Sequence, residues 1–252
     1  MSTELAALAA RLDGAQQDAA AIEQLSAGGA LDLSDAYAVQ HALLTRRISR
    51  GERAVGLKLG FTSRAKAVQM GVDDIILGSL TDGMRISDGG AFDPASAIHP
   101  RIEPEVAYLL DPEDPTRVTA VAPALEIIDS RYRDFRFDLS DVVADNTSAC
   151  AFVIGEWRDP AEVGPLGNRA VLLEIDGRLV QTGSTAAILG DPARAPQAAL
   201  RLASAQGFPA HAGGILLAGA ATAAVEVPAQ GVVEATITGL GRVSVRIERS
   251  IR

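Results

Sequence analysis

The sequence predicts an α+β fold in which two N-terminal helices precede a curled or sandwiched mixed β-sheet. Apolar residues recur at helical spacing mainly within the first 53 residues. From residue 54 onward, short runs rich in Val, Ile, Leu and Thr alternate with turns that contain Gly, Pro or Asp. Helical patterns between these runs are too few for a doubly wound sheet, in which strands and helices alternate.

The length and composition limit the number of domains and the kinds of molecule that the protein can bind. The 252 residues suffice for one large domain, or for one domain with a helical extension. The formal net charge of −9 argues against a nucleic-acid or anionic membrane surface, although a bound cation would still admit an anionic substrate. The single cysteine, Cys150, excludes an intramolecular disulfide and indicates a reducing cytoplasm. No signal-peptide pattern is visible, and the longest uncharged apolar stretch, residues 212–225, is too short to span a bilayer.

Two helices are predicted ahead of the sheet. Leucines and alanines at helical spacing predict the first helix over residues 3–25, ended by a Gly-Gly pair. Ser34 is expected to cap the second helix, whose C-terminal end carries three arginines that suit the helix dipole. We therefore expect residues 1–53 to form a helical N-terminal cap and residues 54–252 to form a separate, strand-rich domain that carries the candidate site.

The strand-rich part is predicted to contain many short strands and three helices. The strands are expected at residues 55–60, 101–110, 124–129, 151–154, 170–175, 179–182, 215–217, 223–227, 232–238 and 243–247. Ser63 and Ser140 are expected to cap two short helices, and a longer helix over residues 196–206 is expected to stop at Gly207.

The predicted strand over residues 101–110 carries two carboxylates inside an apolar run. Strand alternation places Glu103 and Glu105 on the same face. Burying them unpaired would be costly. Pro104 lies between them and removes a ladder donor, which indicates an edge, a strand start or a bulge. The strand alone leaves two interpretations open: a solvated edge with outward charges, or a site for a hard divalent cation.

Other polar residues in apolar runs extend this pattern. Glu126 is a third such carboxylate, and three carboxylates suit Mg²⁺ or Mn²⁺ with open positions for a bidentate 2-oxo acid. Lys58 is either an edge residue with a snorkelling tail or an ammonium held in a site. The three histidines lack metal-ligand spacing, and for His99, beside the acidic strand, a structural role is favoured. Nucleotide-binding, zinc-protease and Cys-x-x-Cys motifs are absent from the sequence.

Eight short motifs spread along nearly the whole chain carry a family resemblance. They are residues 56–63, 70–73, 80–82, 101–105, 123–131, 143–146, 183–187 and 217–219. Together they resemble the 2-keto-4-pentenoate hydratase and 4-oxalocrotonate decarboxylase family, within the fumarylacetoacetate hydrolase-like superfamily. The resemblance implies a mixed β-sandwich roll with a helical N-terminal part and an oligomer that degrades aromatic rings after meta-cleavage. It also implies Mg²⁺ or Mn²⁺ on Glu103, Glu105 and Glu126.

The same resemblance implies roles for further residues. Lys58 falls at the family's active-site lysine, and an ion pair with Asp82 is compatible with that role. Asp82 falls near a conserved catalytic acid, although hydratases space that residue one position differently. Arg131 is expected to bind the distal carboxylate of the substrate or, equally, to form a structural ion pair. Ser130 and Leu77 are expected to be further substrate contacts.

Two segments, residues 58–72 and 129–137, resemble the decarboxylase branch more than the hydratase branch. The expected reaction is metal-dependent decarboxylation of 2-oxo-3-hexenedioate (4-oxalocrotonate) to 2-hydroxypenta-2,4-dienoate. One alternative is hydration of that dienoate to 4-hydroxy-2-oxopentanoate. A second is a non-catalytic partner subunit in a complex with a homologous hydratase. The link between Glu105 and Glu126 is shorter than the family pattern, which is expected to alter the pocket wall or an oligomer contact.

Overall fold

The computed structural model describes residues 2–29, 31–63, 74–209 and 214–250. Its helices are α1 (Thr3–Gln17), α2 (Leu33–Ser49), α3 (Leu139–Ala144), α4 (Pro160–Val163) and α5 (Ala195–Gln206). Its strands are β1 (Ala54–Gly60), β2 (Ile76–Thr81), β3 (Arg85–Ile86), β4 (Ala91–Phe92), β5 (Arg101–Leu110), β6 (Val118–Ile128), β7 (Ala149–Ile154), β8 (Ala170–Ile175), β9 (Arg178–Ser184), β10 (Ile215–Ala220), β11 (Val225–Glu226), β12 (Gly231–Ile237) and β13 (Gly241–Ile247).

The strands form two sheets. The first has the order β2-β1-β10-β5-β6-β7-β3, with β11 also paired to β5. It is mixed, because β1 runs parallel to β10 and β3 runs parallel to β7 while the other pairs are antiparallel. The second has the order β4-β13-β12-β8-β9. The expectation of an α+β fold with a sandwiched mixed sheet is confirmed.

One face of β5 and β6 packs against the second sheet. Ile102 on β5 and Leu125 and Ile127 on β6 are fully buried there. Their partners from the second sheet include Leu173, Val233, Ala235, Val243 and Val245. Because successive side chains of a strand alternate between faces, the glutamates that lie between these apolar residues point to the opposite side of the first sheet. The sandwich core thus decides which face carries the candidate site.

The N-terminal helices share a hydrophobic cluster with the first sheet. Leu12 of α1 and Tyr37 of α2 belong to the same cluster as Leu59 of β1 and Val143 of α3. The predicted boundary between residues 53 and 54 coincides with the start of β1 at Ala54. The division into a cap and a separate domain stays a prediction, although the shared cluster means that the helices do not bury a core of their own.

Both N-terminal helices differ in detail from expectation. The first ends at Gln17 rather than near residue 25, because the following chain runs alongside Tyr132 through an isolated bridge at Ile22. The second begins two residues earlier than a cap at Ser34 predicts, since Asp32 is its N-cap and accepts from the Asp35 amide at 2.8 Å. Carboxylate caps are as effective as serine, so the local pattern did not distinguish them.

An ionic contact joins the two helices. Asp13 of α1 is almost fully buried, and Arg46 and Arg50 of α2 donate to its carboxylate at 2.7–2.8 Å. Burial alone would raise the pKa of Asp13, but hydrogen bonds from Arg50 and Arg46 outweigh it and lower the pKa below its ordinary value. The arginines at the end of α2 therefore anchor α1 as well as facing the helix dipole.

Most of the remaining predicted elements are confirmed. The helix that stops at Gly207 is α5, and Gly207 has the left-handed φ of 71° that such a C-cap requires. The helix predicted to be capped by Ser140 is α3, but its cap is Asp138, which forms a capping box with Asp141. The helix expected after Ser63 lies outside the described residues. No helix within the described ranges is long and apolar enough to cross a membrane.

Candidate metal centre

The pairing of β5 with β6 brings three carboxylates together. Glu103 lies directly opposite Glu126 in the antiparallel register, and Glu105 follows two positions later on the same face. One carboxylate oxygen from each of the three residues lies within 4.8 Å of the others. Alternation along a single strand predicts the first pair, and the cross-strand register adds the third member.

Pro104 lies in a central strand and not at an edge. Strand β5 is flanked by β10 and β6, so the interpretation of a solvated edge is wrong. The bulge that the proline also indicates is present in the neighbouring strand, where the pairing of β10 with β5 shifts register between Leu217 and Ala220. The Pro104 carbonyl accepts from the Ala221 amide at 2.9 Å. The missing proline N–H therefore coincides with an interruption of the ladder.

The bulge directs a backbone donor at a carboxylate. The Gly219 amide donates to Glu105 Oε2 at 2.7 Å. Gly219 has a φ of +110°, and a Cβ atom there would lie 2.1 Å from the Thr62 hydroxyl oxygen. Only glycine satisfies both conditions. The sequence marked this position only as part of a family motif, because the bulge depends on pairing with a distant strand.

Two of the three carboxylates are buried, and the described residues satisfy only part of their hydrogen-bonding capacity. Glu105 and Glu126 are 0% and 1% exposed. Glu105 Oε1 and Glu126 Oε1 have no hydrogen-bond partner among the described residues. Burial raises the pKa of Glu105 well above its ordinary value, and the charges of Glu126 and Glu103 raise it further, while Lys58 acts in the opposite direction. Burial likewise raises the pKa of Glu126. Such oxygen donors fit a hard divalent cation.

Lys58 is an ammonium held within this site. Strand β1 lies between β2 and β10, so Lys58 is not an edge residue, and its side chain is 3% exposed. Its Nζ donates to the Thr147 carbonyl at 2.9 Å and lies 3.1 Å from Glu126 Oε2. The contact with Glu126 is an ion pair without hydrogen-bond geometry. An ammonium has three N–H donors, so its two contacts among the described residues leave one donor for a bound molecule.

A strained turn positions the carbonyl that Lys58 contacts. Asn146, Thr147 and Ser148 all have a left-handed φ, of 49°, 54° and 58°. The Asn146 amide holds the turn by pairing with both the N–H and the carbonyl of Ser79, at 2.7 and 2.9 Å. Strain of this kind concentrates at functional sites. Sequence reasoning missed the turn, although an asparagine that tolerates left-handed backbone was a usable signal.

Leu77 and Ser130 lie near this framework without touching the carboxylates. Leu77 precedes Gly78, the residue paired with Lys58, and its carbonyl accepts from Thr147 Oγ1 at 3.0 Å. Ser130 is fully buried, and its hydroxyl accepts from the Tyr132 amide at 3.2 Å. Their contact with a substrate stays a prediction.

Each of the three nitrogens of the Arg131 guanidinium donates a hydrogen bond within the protein. Its Nε donates to the Asp145 carboxylate, Nη2 to the Asp145 carbonyl and Nη1 to the Ala149 carbonyl at 3.1 Å. The side chain is 1% exposed. Of the two alternatives left open for Arg131, the structural ion pair is therefore the one observed. Binding of a distal carboxylate would require breaking this pair.

Asp82 is not brought to the carboxylates. It follows β2, and its carboxylate accepts from the Arg53 amide at 2.8 Å and the Arg53 Nε at 2.9 Å. Lys58 pairs with Gly78, four residues earlier, which places Asp82 about 13 Å further along the strand direction. The ion pair between Lys58 and Asp82 that the sequence left open is not formed, since Lys58 pairs with Glu126 and Asp82 with Arg53. The catalytic role of Asp82 stays a prediction.

The sandwiched mixed sheet and its carboxylate triad define a fumarylacetoacetate hydrolase-like protein. The 4-oxalocrotonate decarboxylase from Pseudomonas putida G7, complexed with magnesium and adipate, matches with a TM-score of 0.92 and 34% identity, over 98% of this chain and 99% of that one. A fumarylpyruvate hydrolase from Pseudomonas aeruginosa, in complex with Mn²⁺ and pyruvate, shares the fold with a TM-score of 0.59 and 18% identity, over 79% of this chain and 90% of that one.

Comparison with relatives in sequence identifies the family more narrowly than comparison of folds. A 4-oxalocrotonate decarboxylase from Pseudomonas sp. is 47% identical over 250 residues, which are 96% of this chain and 97% of the relative. A 2-keto-4-pentenoate hydratase from Burkholderia vietnamiensis is 37% identical, over 95% of each chain. No protein-family model matches the chain. The chain belongs to the family of 4-oxalocrotonate decarboxylases and 2-keto-4-pentenoate hydratases, and the resemblance is confirmed.

Proposed function

We propose that the protein decarboxylates 2-oxo-3-hexenedioate to 2-hydroxypenta-2,4-dienoate during degradation of aromatic compounds after meta-cleavage. The observation that carries the proposal is the convergence of Glu103, Glu105 and Glu126 beside the Lys58 ammonium, with Glu105 and Glu126 buried and each with an oxygen that lacks a hydrogen-bond partner among the described residues. The decarboxylase relative at 47% identity supports this reaction over hydration, since the hydratase relative reaches 37%. Adipate in the decarboxylase structure supports a six-carbon dicarboxylate.

The three glutamates would hold Mg²⁺ or Mn²⁺. The fit rests on an all-oxygen donor set and on buried oxygens that lack hydrogen-bond partners within the described residues. A divalent cation bound there supplies Lewis acidity to the 2-oxo acid end of the substrate. The Gly219 amide helps to orient this donor set by fixing one oxygen of Glu105.

Lys58 supplies the protein's own stabilising charge. As the bond to the distal carboxylate breaks and CO₂ leaves, the electron pair moves through the carbon–carbon double bond onto the 2-oxo oxygen. The remaining N–H of Lys58 can donate to the oxygen where negative charge develops. Thr147 and Glu126 hold the ammonium in place before the reaction. A preorganised cation in a buried site is effective because little reorganisation is needed.

The partners follow from the same proposal. The protein would act on a small 2-oxo acid as a homo-oligomer complexed with a homologous hydratase, without nucleic acid or membrane. A non-catalytic subunit would be expected to have a degraded triad, whereas Lys58 and all three glutamates converge here. The single cysteine, Cys150, remains our reason to propose a cytoplasmic location.

The test is a pair of assays on the Mg²⁺-loaded protein. Release of CO₂ from 2-oxo-3-hexenedioate would be measured beside consumption of 2-hydroxypenta-2,4-dienoate. We expect CO₂ release that EDTA abolishes and excess Mg²⁺ restores. Hydration of the dienoate without CO₂ release would contradict the proposal and support the hydratase alternative. The Glu162→Gln variant is a matched control, because it removes an exposed carboxylate outside the triad.

A further inference from the structure

A cavity lies at the beginning of the strand that carries the carboxylates. It has a volume of about 380 Å³, and His99, Arg101 and Phe135 contribute to its lining. Arg101 is the first residue of β5, only two positions before Glu103. The mechanism proposed above uses none of these three residues, and Arg131, which was expected to bind a distal carboxylate, is occupied elsewhere.

The Arg101 guanidinium is available for a ligand. Its central carbon lies 4.5 Å from the centroid of the Phe135 ring, so the cation stacks on an aromatic face. The side chain is half-buried and forms no ion pair or side-chain hydrogen bond with any residue of the described ranges. A guanidinium has five N–H donors in a planar fork that matches a carboxylate.

Phe135 is held as a platform by strained backbone. Phe135 and the preceding Asp134 have left-handed φ values of 55° and 56°, which bulky side chains rarely adopt. The His99 ring packs against Phe135 with 4.4 Å between centroids. His99 Nε2 is buried and has no hydrogen-bond partner among the described residues. A stacked guanidinium and an unpartnered imidazole nitrogen in one cavity indicate a prepared polar subsite.

The spacing along β5 relates this subsite to the triad. Arg101, Glu103 and Glu105 alternate onto one face, and two residues of a strand span about 6.6 Å. In a six-carbon diacid, five carbon–carbon bonds of about 1.5 Å separate the carboxyl carbons by about 6 Å when extended. We propose that Arg101, supported by Phe135, binds the distal carboxylate of a dicarboxylic 2-oxo acid whose other end lies at the triad. This inference rests on the proposed function.

The acidic residues of the cavity limit what it accepts. Asp134 and Glu226 also contribute to the lining, and both are exposed to solvent, which screens their charges. Glu226 is the cross-strand neighbour of Arg101, yet it forms no ion pair with the guanidinium. The site therefore suits one carboxylate held directly on Arg101, rather than a multiply charged anion such as a phosphate.

Binding to the Mg²⁺-loaded protein tests the proposal without turnover. The probes are 2-oxohexanedioate and 2-oxohexanoate, which share a chain length and a 2-oxo acid end and differ only in the distal carboxylate. Calorimetry should give the wild type at least about tenfold tighter binding of the diacid, the scale of one charge-assisted hydrogen-bonded contact. Arg101→Met should lose this preference while keeping its affinity for the monoacid. Arg101→Lys, which keeps the charge without the fork, should be intermediate.

Three outcomes would decide against the subsite. An equal loss for both acids would make Arg101 part of the triad's surroundings rather than a distal-carboxylate site. An unchanged preference in Arg101→Met would also overturn the assignment, as would a wild type that does not prefer the diacid. Arg178→Met, which removes an exposed arginine of the second sheet, is the matched control and should retain the preference. A wild type that prefers the diacid but releases no CO₂ from 2-oxo-3-hexenedioate would reject the proposed function and leave the subsite standing.

Discussion

Two clusters of charged side chains are buried to the same degree and differ in what surrounds them. Arg131 and Asp145 are 1% and 0% exposed, and Lys58 and Glu126 are 3% and 1% exposed. In the first cluster, the guanidinium donates to a carboxylate and to two carbonyls. In the second, carboxylate oxygens of Glu105 and Glu126 lack hydrogen-bond partners within the described residues.

The charge balance differs in the same way. One cation faces one anion at Arg131 and Asp145, whereas two buried carboxylates, Glu105 and Glu126, and the partly buried Glu103 converge beside the Lys58 ammonium in the second cluster. Buried polar groups in native proteins are normally satisfied, so a satisfied pair indicates a structural role. Buried carboxylates whose oxygens lack hydrogen-bond partners among the described residues indicate a site completed by a divalent cation. Burial alone would not have separated the two clusters.

The largest expected effect comes from breaking the satisfied pair. Arg131→Met leaves Asp145 buried without its cation, and the free energy of unfolding should fall by about 3–5 kcal/mol. Urea unfolding followed by circular dichroism measures the change. Adding Mg²⁺ should leave the difference in stability from the wild type unchanged, because the cation binds elsewhere and should stabilise both proteins equally. Wild-type stability in this variant would contradict the structural assignment of Arg131.

Removing a carboxylate from the cluster around Lys58 should preserve stability and reduce activity. Glu105→Gln keeps the shape of the side chain and removes a carboxylate whose ionisation is opposed by burial and by the charges of Glu126 and Glu103. Stability without metal should be unchanged or higher, while CO₂ release should fall by at least about 100-fold, the scale of a lost transition-state contact. Unfolding curves and assays on the same preparation give both values. Full activity in Glu105→Gln would refute its assignment as a ligand.

Metal binding should itself stabilise the fold. At a free Mg²⁺ concentration of 100 times Kd, the free energy of unfolding should rise by about 2.7 kcal/mol, and EDTA should reverse the change. A thermal melt with and without Mg²⁺ measures this. A Tm that does not respond to Mg²⁺ or Mn²⁺ would count against a cation at the triad.

The pH dependence of that effect follows from the Glu105 pKa. Because the Glu105 pKa is raised, the metal-free folded protein keeps a proton on Glu105 at pH values above 4.5. The contribution of this protonated carboxyl to stability is fully present below pH 4.5 and is lost as the pH rises through the pKa of the folded state. Mg²⁺ must displace this proton. The stabilisation by Mg²⁺ should therefore increase with pH above 4.5, which melts in a pH series would measure. A pH-independent effect would contradict the coupling.

The smallest effect is expected at Asp82. Its ion pair with Arg53 is exposed, since the Arg53 side chain is 82% and the Asp82 side chain 32% accessible. Exposed pairs contribute little to stability. Asp82→Asn should therefore leave both the unfolding curve and the CO₂ release rate nearly unchanged. A large fall in kcat with normal folding would restore the catalytic role that the family resemblance implies for this residue.

Local pattern was sufficient for part of the fold and part of the site. The shared face of Glu103 and Glu105 follows from strand alternation, and the end of α5 at Gly207 follows from glycine's tolerance of left-handed backbone. The cap residues of α2 and α3 were misjudged because aspartate and serine compete equally for that position within a few residues.

By itself, the sequence determined the family, the mixed-sheet class and the strand that presents two of the three candidate ligands. Those features depend on residue type and on spacing within one segment. Only the tertiary structure decided that Lys58 faces Glu126, that Arg131 pairs with Asp145, that Asp82 lies apart and that Arg101 stacks on Phe135. Each of these depends on the register between strands and turns far apart in the chain, and a shift of one residue would turn every side chain of a strand to the other face.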